Sequence, residues 1–138
     1  MQNAAKPSSR PSKTIVIVDD DEDFLWCLRE ILTRQRYDVF ATLSPMEALK
    51  ITTENCDVGL IISDLEMEEI RGDKLLEKVK KVKPEVVCLL ISSHKVENDT
   101  IESQWIDLFV EKACCIERLL EILPYFRRSV TSNSFVTR

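Results

Sequence analysis

The sequence predicts an α/β fold built on a parallel five-stranded sheet. Two observations support this prediction: five short, mostly apolar segments recur along the chain, and segments with apolar residues at helical spacing separate them. Near-continuous apolar runs with β-branched residues are typical of parallel strands that are buried on both faces. Strands that alternate with helices form parallel sheets, and right-handed crossovers place the helices on both faces. A length of 138 residues fits one such domain.

The five predicted strands are short, as buried strands usually are. The first, TIVIV, is apolar apart from its threonine, whereas the second and the fifth each carry one aspartate. In chain order the strands cover residues 14–18, 38–42, 58–62, 86–91 and 106–110.

Apolar residues three and four positions apart predict the helices between these strands. The second helix begins at Ser44, because Pro45 and Glu47 follow it with capping-box spacing. A fourth helix, over about residues 95–104, has the weakest helical pattern, because this segment is polar and short. The apolar stripes of the other three helices are Phe24, Leu28, Ile31 and Leu32; Leu75, Leu76 and Val79; and Ile116, Leu119, Leu120 and Leu123.

One domain is predicted over residues 14–126, with polar segments on either side. We interpret residues 1–13 as a disordered N-terminal tail and residues 127–138 as a polar C-terminal tail. No apolar run approaches the roughly 20 residues of a membrane-spanning helix, and no signal-peptide pattern opens the chain. We therefore expect a cytoplasmic protein without membrane contact.

Composition argues against several classes of function. A net charge of −5 argues against non-specific nucleic-acid binding, which depends on cationic groups that neutralise phosphates. No helix-turn-helix pattern follows residue 126, so direct DNA binding is not expected. The five cysteines contain no C-x-x-C pair, and the adjacent Cys114 and Cys115 lack a second Cys or His cluster with which to share a metal. Reduced thiols are expected.

Polar side chains follow four of the predicted strands at their carboxyl ends. Asp19 and Asp20 follow the first strand, Asp64 the third, Ser92 the fourth and Lys112 the fifth. In a parallel sheet these ends meet at one edge, where α/β proteins bind ligands. Two carboxylates about 5 Å apart repel by roughly 3 kcal/mol at an effective dielectric constant near 20, so a cation is expected among them. Carboxylate ligands that leave room for water and phosphate suit Mg²⁺.

The remaining polar groups at this edge suit a phosphate. Lys112 can hold a phosphate as a point charge, and Ser92 can donate a hydrogen bond to it. Phosphoryl transfer onto a carboxylate is therefore the indicated chemistry. For the acids at positions 21–23 we favour a structural interpretation, because acidic residues stabilise the start of a helix.

The chain resembles the receiver domains of two-component response regulators over about residues 14–126. No single motif is specific, but all of them occur in order at the expected strand ends. The motifs are Asp19-Asp20; Asp64-Leu65-Glu66-Met67 with Gly72 eight residues after Asp64; Ser92-Ser93; and Phe109 three residues before Lys112. The resemblance implies a flavodoxin-like, doubly wound sheet with strand order 2-1-3-4-5 and five helices.

The resemblance also implies a role for each matched acid. Asp64 is the expected phosphoacceptor, which attacks a phosphodonor to give an acyl phosphate. Asp20 and Asp64 are the expected direct ligands of Mg²⁺, with Asp19 acting through water and Glu66 through its backbone carbonyl. Mn²⁺ is expected to substitute. Lys112 is expected to pair with the phosphoryl group.

Two further residues are the expected switch. Ser92 turns its hydroxyl toward the phosphate, and Phe109 moves into the vacated space. This movement alters the face formed by the fourth helix, fifth strand and fifth helix, which binds a downstream protein or a second copy. The expected donor is a histidine kinase or phosphotransfer protein. We assign His94, the one histidine, to the rim of the site with Glu66 rather than to a metal or phosphohistidine role.

Two departures from the family pattern concern loops around the site. Glu68 stands where proline usually follows Met67, and Ala113 replaces the proline that usually follows Lys112 in a cis bond. A cis bond without proline costs roughly 2.5–4 kcal/mol. We therefore predict a trans bond between Lys112 and Ala113, or a strained cis bond if the Lys112 geometry demands it.

Two other functions remain alternatives. A pseudo-receiver that binds proteins without phosphorylation is favoured by Glu68 and Ala113 alone. A haloacid-dehalogenase-type phosphatase would use the Asp19-x-Asp21 pair and leave Asp64 unimportant, but the chain is short for that fold.

Overall fold

The computed structural model describes residues 14–93 and 103–131, without the side chains of residues 103 and 126–131. These residues form five strands, four α-helices and two 3₁₀ turns. The strands are β1 (Thr14–Val18), β2 (Asp38–Thr42), β3 (Val58–Asp64), β4 (Val87–Ser92) and β5 (Leu108–Glu111). The helices are α1 (Glu22–Arg34), α2 (Pro45–Glu54), α3 (Gly72–Val82) and α4 (Cys115–Thr131), and the 3₁₀ turns are Ser103–Trp105 and Lys112–Cys114.

All five strands pair in parallel, in the order β2-β1-β3-β4-β5. This confirms the predicted doubly wound sheet. The register brings the carboxyl ends together: Val18 of β1 lies beside Ser63, Asp64 lies beside Ile91 of β4, and Ser92 lies beside Glu111. The residues that follow these strands therefore share one edge of the sheet.

Alternate residues of the central strands point into two apolar cores, one on each face. Ile15 and Ile17 of β1 pack with α1 and α4, whereas Val16 and Val18 pack with α2 and α3. Helix α1 contributes Leu25, Leu28 and Leu32 to the first core, and α3 contributes Leu75, Leu76 and Val79 to the second. Most residues of the predicted stripes are thus buried or partly buried, but Leu120 of the third stripe is 40% exposed.

Helix α2 begins where its cap predicts. Ser44 is the N-cap, and its hydroxyl oxygen accepts a hydrogen bond from the N–H of Glu47 at 3.1 Å. The carboxylate of Glu47 does not complete the capping box with Ser44 but accepts a hydrogen bond from the hydroxyl of Thr42. This contact ties the end of β2 to the start of α2.

The boundaries differ from the prediction in three strands. β3 and β4 extend through Ser63-Asp64 and Ser92, so polar residues that resemble turn formers continue the ladder. β5 begins at Leu108 rather than at residue 106. Just before it, the N–H of Asp107 donates to the carbonyl of Cys88 at 2.8 Å, and the Asp107 side chain accepts the N–H of Cys88.

Two predicted segments meet the described residues only in part. The fourth predicted helix, residues 95–104, lies outside them except for the start of the 3₁₀ turn Ser103–Trp105. Helix α4, counted as the fifth in the sequence, runs to Thr131, five residues beyond position 126. Of the helices in the described ranges, none is long and apolar enough to cross a bilayer.

A polar cluster formed by Lys80 and Asp107, at the end of the sheet opposite the carboxyl edge, holds the edge strand in place. Oδ2 of Asp107 lies 2.7 Å from Nζ of Lys80 and accepts the N–H of Cys88 at 2.8 Å. Nζ of Lys80 also donates to the carbonyl of Val86 at 2.9 Å. This polar cluster therefore joins α3, β4 and the residue before β5, the strand that leads to Lys112.

Candidate metal and phosphoacceptor site

Three carboxylates from two neighbouring strand ends meet at the carboxyl edge of the sheet. Asp19 and Asp20 follow β1 directly, and Asp64 ends β3, which pairs with β1. One oxygen from each lies within 4.8 Å of the others. Asp19 and Asp64 are buried and Asp20 is exposed, so the cluster has a solvent-facing side. The structure thus brings together the three acids that the sequence indicates as metal ligands.

Asp19 is held through both of its carboxylate oxygens. Oδ1 accepts a hydrogen bond from the backbone N–H of Asp21 at 2.8 Å, and Oδ2 lies 2.8 Å from Nζ of Lys112. Only 2% of Asp19 is exposed. A charge so deeply buried requires charge-assisted partners of this kind, and the two contacts fix the orientation of the side chain.

The acids that follow Asp20 begin helix α1, as the structural interpretation expects. Asp21 is the N-cap: its Oδ1 accepts a hydrogen bond from the N–H of Phe24 at 3.3 Å. Glu22 and Asp23 occupy the first turn, where negative charge interacts favourably with the helix dipole.

Lys112 lies in the 3₁₀ turn after β5, and its stem crosses toward β1. Besides Asp19, its Nζ lies 4.0 Å from Oδ2 of Asp21 and 4.4 Å from the centre of the Phe24 ring. The peptide bond from Lys112 to Ala113 is trans, as is every other peptide bond in the described ranges, which confirms the first of the two stated possibilities. The loss of proline after Lys112 therefore leaves the ammonium at the site.

The electrostatics of the cluster show an excess of negative charge. Burial raises the pKa of Asp64 from 3.8 to about 6, and the charges of Asp19 and Asp20 add to that effect against the opposing charge of Lys112. Burial also raises the pKa of Asp19, although its hydrogen bond to Lys112 opposes this. Burial lowers the pKa of Lys112, but the hydrogen bond and charge of Asp19 outweigh it and raise the value overall.

This donor set fits a hard divalent cation. Carboxylate oxygens are the preferred ligands of such ions, which bind them at about 2.0–2.6 Å, so three oxygens within 4.8 Å of one another can reach a single ion. A cation there would offset both causes of the raised pKa of Asp64, which are burial first and the neighbouring carboxylates second. Asp64 has a second oxygen, and a deprotonated carboxylate of this kind can act as a nucleophile.

The other predicted site residues lie around this edge. Ser92 ends β4 and is 1% exposed, one register position beyond the neighbour of Asp64. Glu66 is exposed in the loop after β3. Phe109 lies on β5 with 38% of its surface exposed, so its ring is at the protein surface rather than in the core. His94 falls outside the described residues.

Gly72 allows the start of α3 to pack closely against the loop that follows Asp64. Its N–H donates to the carbonyl of Leu65 at 2.8 Å, while the N–H of Leu65 donates to the carbonyl of Ile91 at the same distance. A Cβ atom on Gly72 would lie 2.1 Å from the carbonyl oxygen of Asp64. The start of α3 can therefore approach the loop this closely only because residue 72 lacks a side chain.

Sequence reasoning missed one contact at the site and one at the opposite end of the sheet. Phe24 was counted only as part of the apolar stripe of α1, and its contact with Lys112 depends on where β5 places that lysine. Asp107 was counted as part of a strand, although its carboxylate anchors β4 to α3. A charged residue inside an otherwise apolar run was the one available signal for Asp107.

Comparison with known proteins agrees with this architecture. The response regulator receiver domain family matches residues 15–124. The transcriptional regulatory protein GlrR of Escherichia coli K12 is 34% identical over 80 residues, which are 58% of this chain and 18% of GlrR. The two-component response regulator ORR22 of Oryza sativa subsp. japonica is 42% identical over 66 residues, 47% of this chain and 10% of ORR22. The chain thus corresponds to a small part of either relative.

Two solved structures share the fold over nearly their whole length. The response regulator TrrA of Thermotoga maritima, solved in complex with Mg²⁺-BeF, superposes with a TM-score of 0.75 at 25% identity and covers 83% of this chain and 98% of TrrA. A CheY-like receiver domain of Methanospirillum hungatei JF-1 has a TM-score of 0.72 at 25% identity, with 85% and 98% coverage. Fold, acidic cluster and family match agree: the chain belongs to the receiver domains of two-component response regulators.

Proposed function

We propose that this receiver domain accepts a phosphoryl group on Asp64 from a histidine kinase or phosphotransfer protein. The observation that carries the proposal is the convergence of Asp64 with Asp19, Asp20 and Lys112 at one edge of the sheet. The ammonium of Lys112 contacts Asp19 directly and acts on buried Asp64 through its charge. A nucleophile flanked by a metal site and a lysine is the arrangement that phosphoryl transfer requires.

The proposed step is a single displacement. A carboxylate oxygen of Asp64 attacks the phosphorus of a phosphohistidine, the P–N bond breaks, and the imidazole nitrogen keeps the electron pair and takes a proton from solvent. Lys112 pairs with the oxygens of the transferred group. Water later attacks the phosphorus, the P–O bond to Asp64 breaks, and inorganic phosphate leaves, which restores the carboxylate.

We assign the metal to Asp20 and Asp64 as direct ligands, to Asp19 through water and to the backbone carbonyl of Glu66. Mg²⁺, when bound, neutralises the carboxylates and the phosphoryl oxygens, and Mn²⁺ is the proposed substitute. The Mg²⁺-BeF complex of TrrA supports this assignment, because that protein shares the fold and a quarter of its aligned residues.

Phosphorylation is proposed to change a surface on the edge strand. Ser92 turns toward the phosphate and Phe109 withdraws from the surface. These movements form a two-state switch, because the phosphate makes more favourable contacts with one state than with the other. Leu108, Phe109 and Leu120 of α4 are each 37–40% exposed, which supports a protein partner or a second copy on this side. His94 is proposed as part of the rim with Glu66.

The function that the whole protein performs after phosphorylation of this domain is a separate question. GlrR is a transcriptional regulatory protein of which this chain covers 18%, so the expected lack of direct DNA binding applies to the receiver residues alone.

All five cysteines are unpaired, which supports the proposed cytoplasmic location. The engagement of Asp21 as the N-cap of α1 argues against the phosphatase alternative, which needs that carboxylate for chemistry.

Intact-mass measurement after incubation with Mg²⁺ and acetyl phosphate tests the proposal. The wild type is expected to gain one phosphoryl group, and Asp64→Asn none. Asp23→Asn, which changes an exposed acid in the first turn of α1, is the matched control and is expected to react like the wild type. Chelation of Mg²⁺ is expected to abolish the adduct.

Each of three results would contradict the proposal. An adduct on Asp64→Asn would move the phosphoacceptor elsewhere, and an adduct that persists under chelation would remove the metal from the reaction. A wild type that stays unmodified by acetyl phosphate and by a phosphohistidine donor would favour a pseudo-receiver, for which Glu68 and Ala113 are the supporting features.

A further inference from the structure

Phe24 touches the lysine of the site although it belongs to the apolar face of α1. Its half-buried ring packs against the core that α1 and α4 share. The Nζ atom of Lys112 lies 4.4 Å from the centre of this ring, within the range of a cation–π interaction. The backbone N–H of Phe24 is also the donor that Asp21 caps. The backbone of Phe24 is therefore held at the helix start, and its ring packs against the core.

The ring and Asp19 together define the position of the ammonium. Oδ2 of Asp19 lies 2.8 Å from Nζ, and Asp21 lies 4.0 Å away on the exposed side. A lysine has a flexible four-carbon stem and three equivalent donors, so two partners of the same charge leave its head free to move between them. An aromatic face adds a contact of a different kind, which Asp21 cannot provide.

We propose that Phe24 is a positioning residue for Lys112, holding the ammonium beside Asp19 and within reach of the phosphoryl group on Asp64. The inference rests on the proposed function, since it assigns Lys112 to the transferred phosphoryl group. The ring is proposed to act on the reaction through its contact with Lys112. Its effect is therefore expected on the rate of transfer rather than on binding of the donor.

The same helix carries a second aromatic–cation pair that serves as an internal contrast. Trp26 is 42% exposed, its indole N–H donates to Glu22 at 3.2 Å, and Arg29 lies 5.6 Å from its ring centre. This pair lies on the solvent face of α1. Removal of its ring tests the general effect of an aromatic residue on α1 without a change at Lys112.

The test compares Phe24→Leu with Phe24→Tyr and Trp26→Leu by two measurements. The first is the rate of phosphoryl adduct formation with acetyl phosphate and Mg²⁺ across donor concentrations. We expect Phe24→Leu to lower the maximal rate roughly two- to thirtyfold, the range of a cation–π contact, with the half-saturating donor concentration changed less than twofold. Phe24→Tyr keeps the ring and is expected to restore the rate, and Trp26→Leu is expected to match the wild type.

The second measurement is the NMR shift of the Lys112 side-chain methylene protons in unphosphorylated protein. A ring face at this distance shifts such protons upfield, so the shift is expected in the wild type and Phe24→Tyr and lost in Phe24→Leu. A wild type that forms no adduct but shows the shift would overturn the proposed function and leave the Phe24 contact established. A normal maximal rate in Phe24→Leu, or no upfield shift in the wild type, would overturn the positioning role.

Discussion

The ammonium of Lys112 lies 2.8 Å from Oδ2 of Asp19, an acid that is only 2% exposed and is not the proposed phosphoacceptor. The lysine acts on Asp64 through its charge, which lowers the pKa of Asp64 without preventing a net rise to about 6. The cation is thus held by one acid while it remains near another. A phosphoryl group on Asp64 would present a second anion to a lysine that is already in place.

Lys112→Met is expected to destabilise the protein in the absence of metal. The substitution leaves the buried carboxylate of Asp19 with the N–H of Asp21 as its described partner, at a cost of about 1–3 kcal/mol in the free energy of unfolding. Urea denaturation at neutral pH measures the change. Lys78→Met, on the exposed side of α3, is the control and is expected to change it by less than about 0.5 kcal/mol. Equal values for the two variants would contradict the role of Lys112 in holding Asp19.

Asp64→Asn is expected to be more stable than the wild type at neutral pH in metal-free buffer. Because the pKa of Asp64 is raised in the folded protein, its folded state binds the proton more tightly than the unfolded chain does. The wild type therefore loses stability as pH rises from about 4 to about 6, by up to about 3 kcal/mol.

Asparagine does not titrate, so the difference in unfolding free energy between the two proteins isolates this effect. The difference is expected to be small below about pH 4, to grow up to about pH 6 and to remain constant above it. Denaturation series at fixed ionic strength, with a chelator present, measure it. A difference that is independent of pH would show that the charge of Asp64 carries no such cost.

The strand pattern and the meeting of Asp19, Asp20 and Asp64 at one sheet edge could be predicted from sequence, because both follow from local order along the chain. A buried parallel strand needs a continuous apolar run, and the residue after it must lie at the sheet edge. The ends of β3 and β4 were harder to place, because serine and aspartate favour turns in isolation. Here the neighbouring strands supply ladder partners at Ser63 and Asp64, and tertiary pairing overrides the local preference.

Contacts between distant side chains were not readable in this way. Phe24 and Lys112 are brought together by the packing of α1 against β1 and by the path of β5, and no periodicity encodes that meeting. The same holds for Lys80 and Asp107, which pair across α3 and the entrance to β5. Each residue has an ordinary local explanation, as a core aromatic or a solvated charge, until the fold joins it to its partner.

Gly72→Ala is expected to destabilise the protein by roughly 2–4 kcal/mol and to disturb the loop after Asp64. The added Cβ would lie 2.1 Å from the carbonyl oxygen of Asp64 and 2.8 Å from Cδ1 of Leu90. The leucine can shift, but the carbonyl belongs to the backbone of β3 and cannot. Thermal and urea denaturation measure the loss, and backbone NMR shifts at residues 64 and 65 report the displaced loop. A loss below about 1 kcal/mol with unchanged shifts would contradict so close an approach.

Asp107→Ala is expected to loosen the edge strand, because the N–H of buried Cys88 loses its acceptor and Lys80 loses its ion pair. A buried donor without an acceptor costs about 1–3 kcal/mol, and hydrogen exchange at the Cys88 amide should accelerate in proportion. Asp107→Asn keeps an oxygen for that N–H and is expected to lose less. Glu30→Ala, which removes an exposed i,i+4 pair with Arg34, is the matched control, with an expected change of at most about 0.5 kcal/mol. If the Cys88 amide exchanges at the wild-type rate in Asp107→Ala, the carboxylate is not what holds β4 to the entrance of β5.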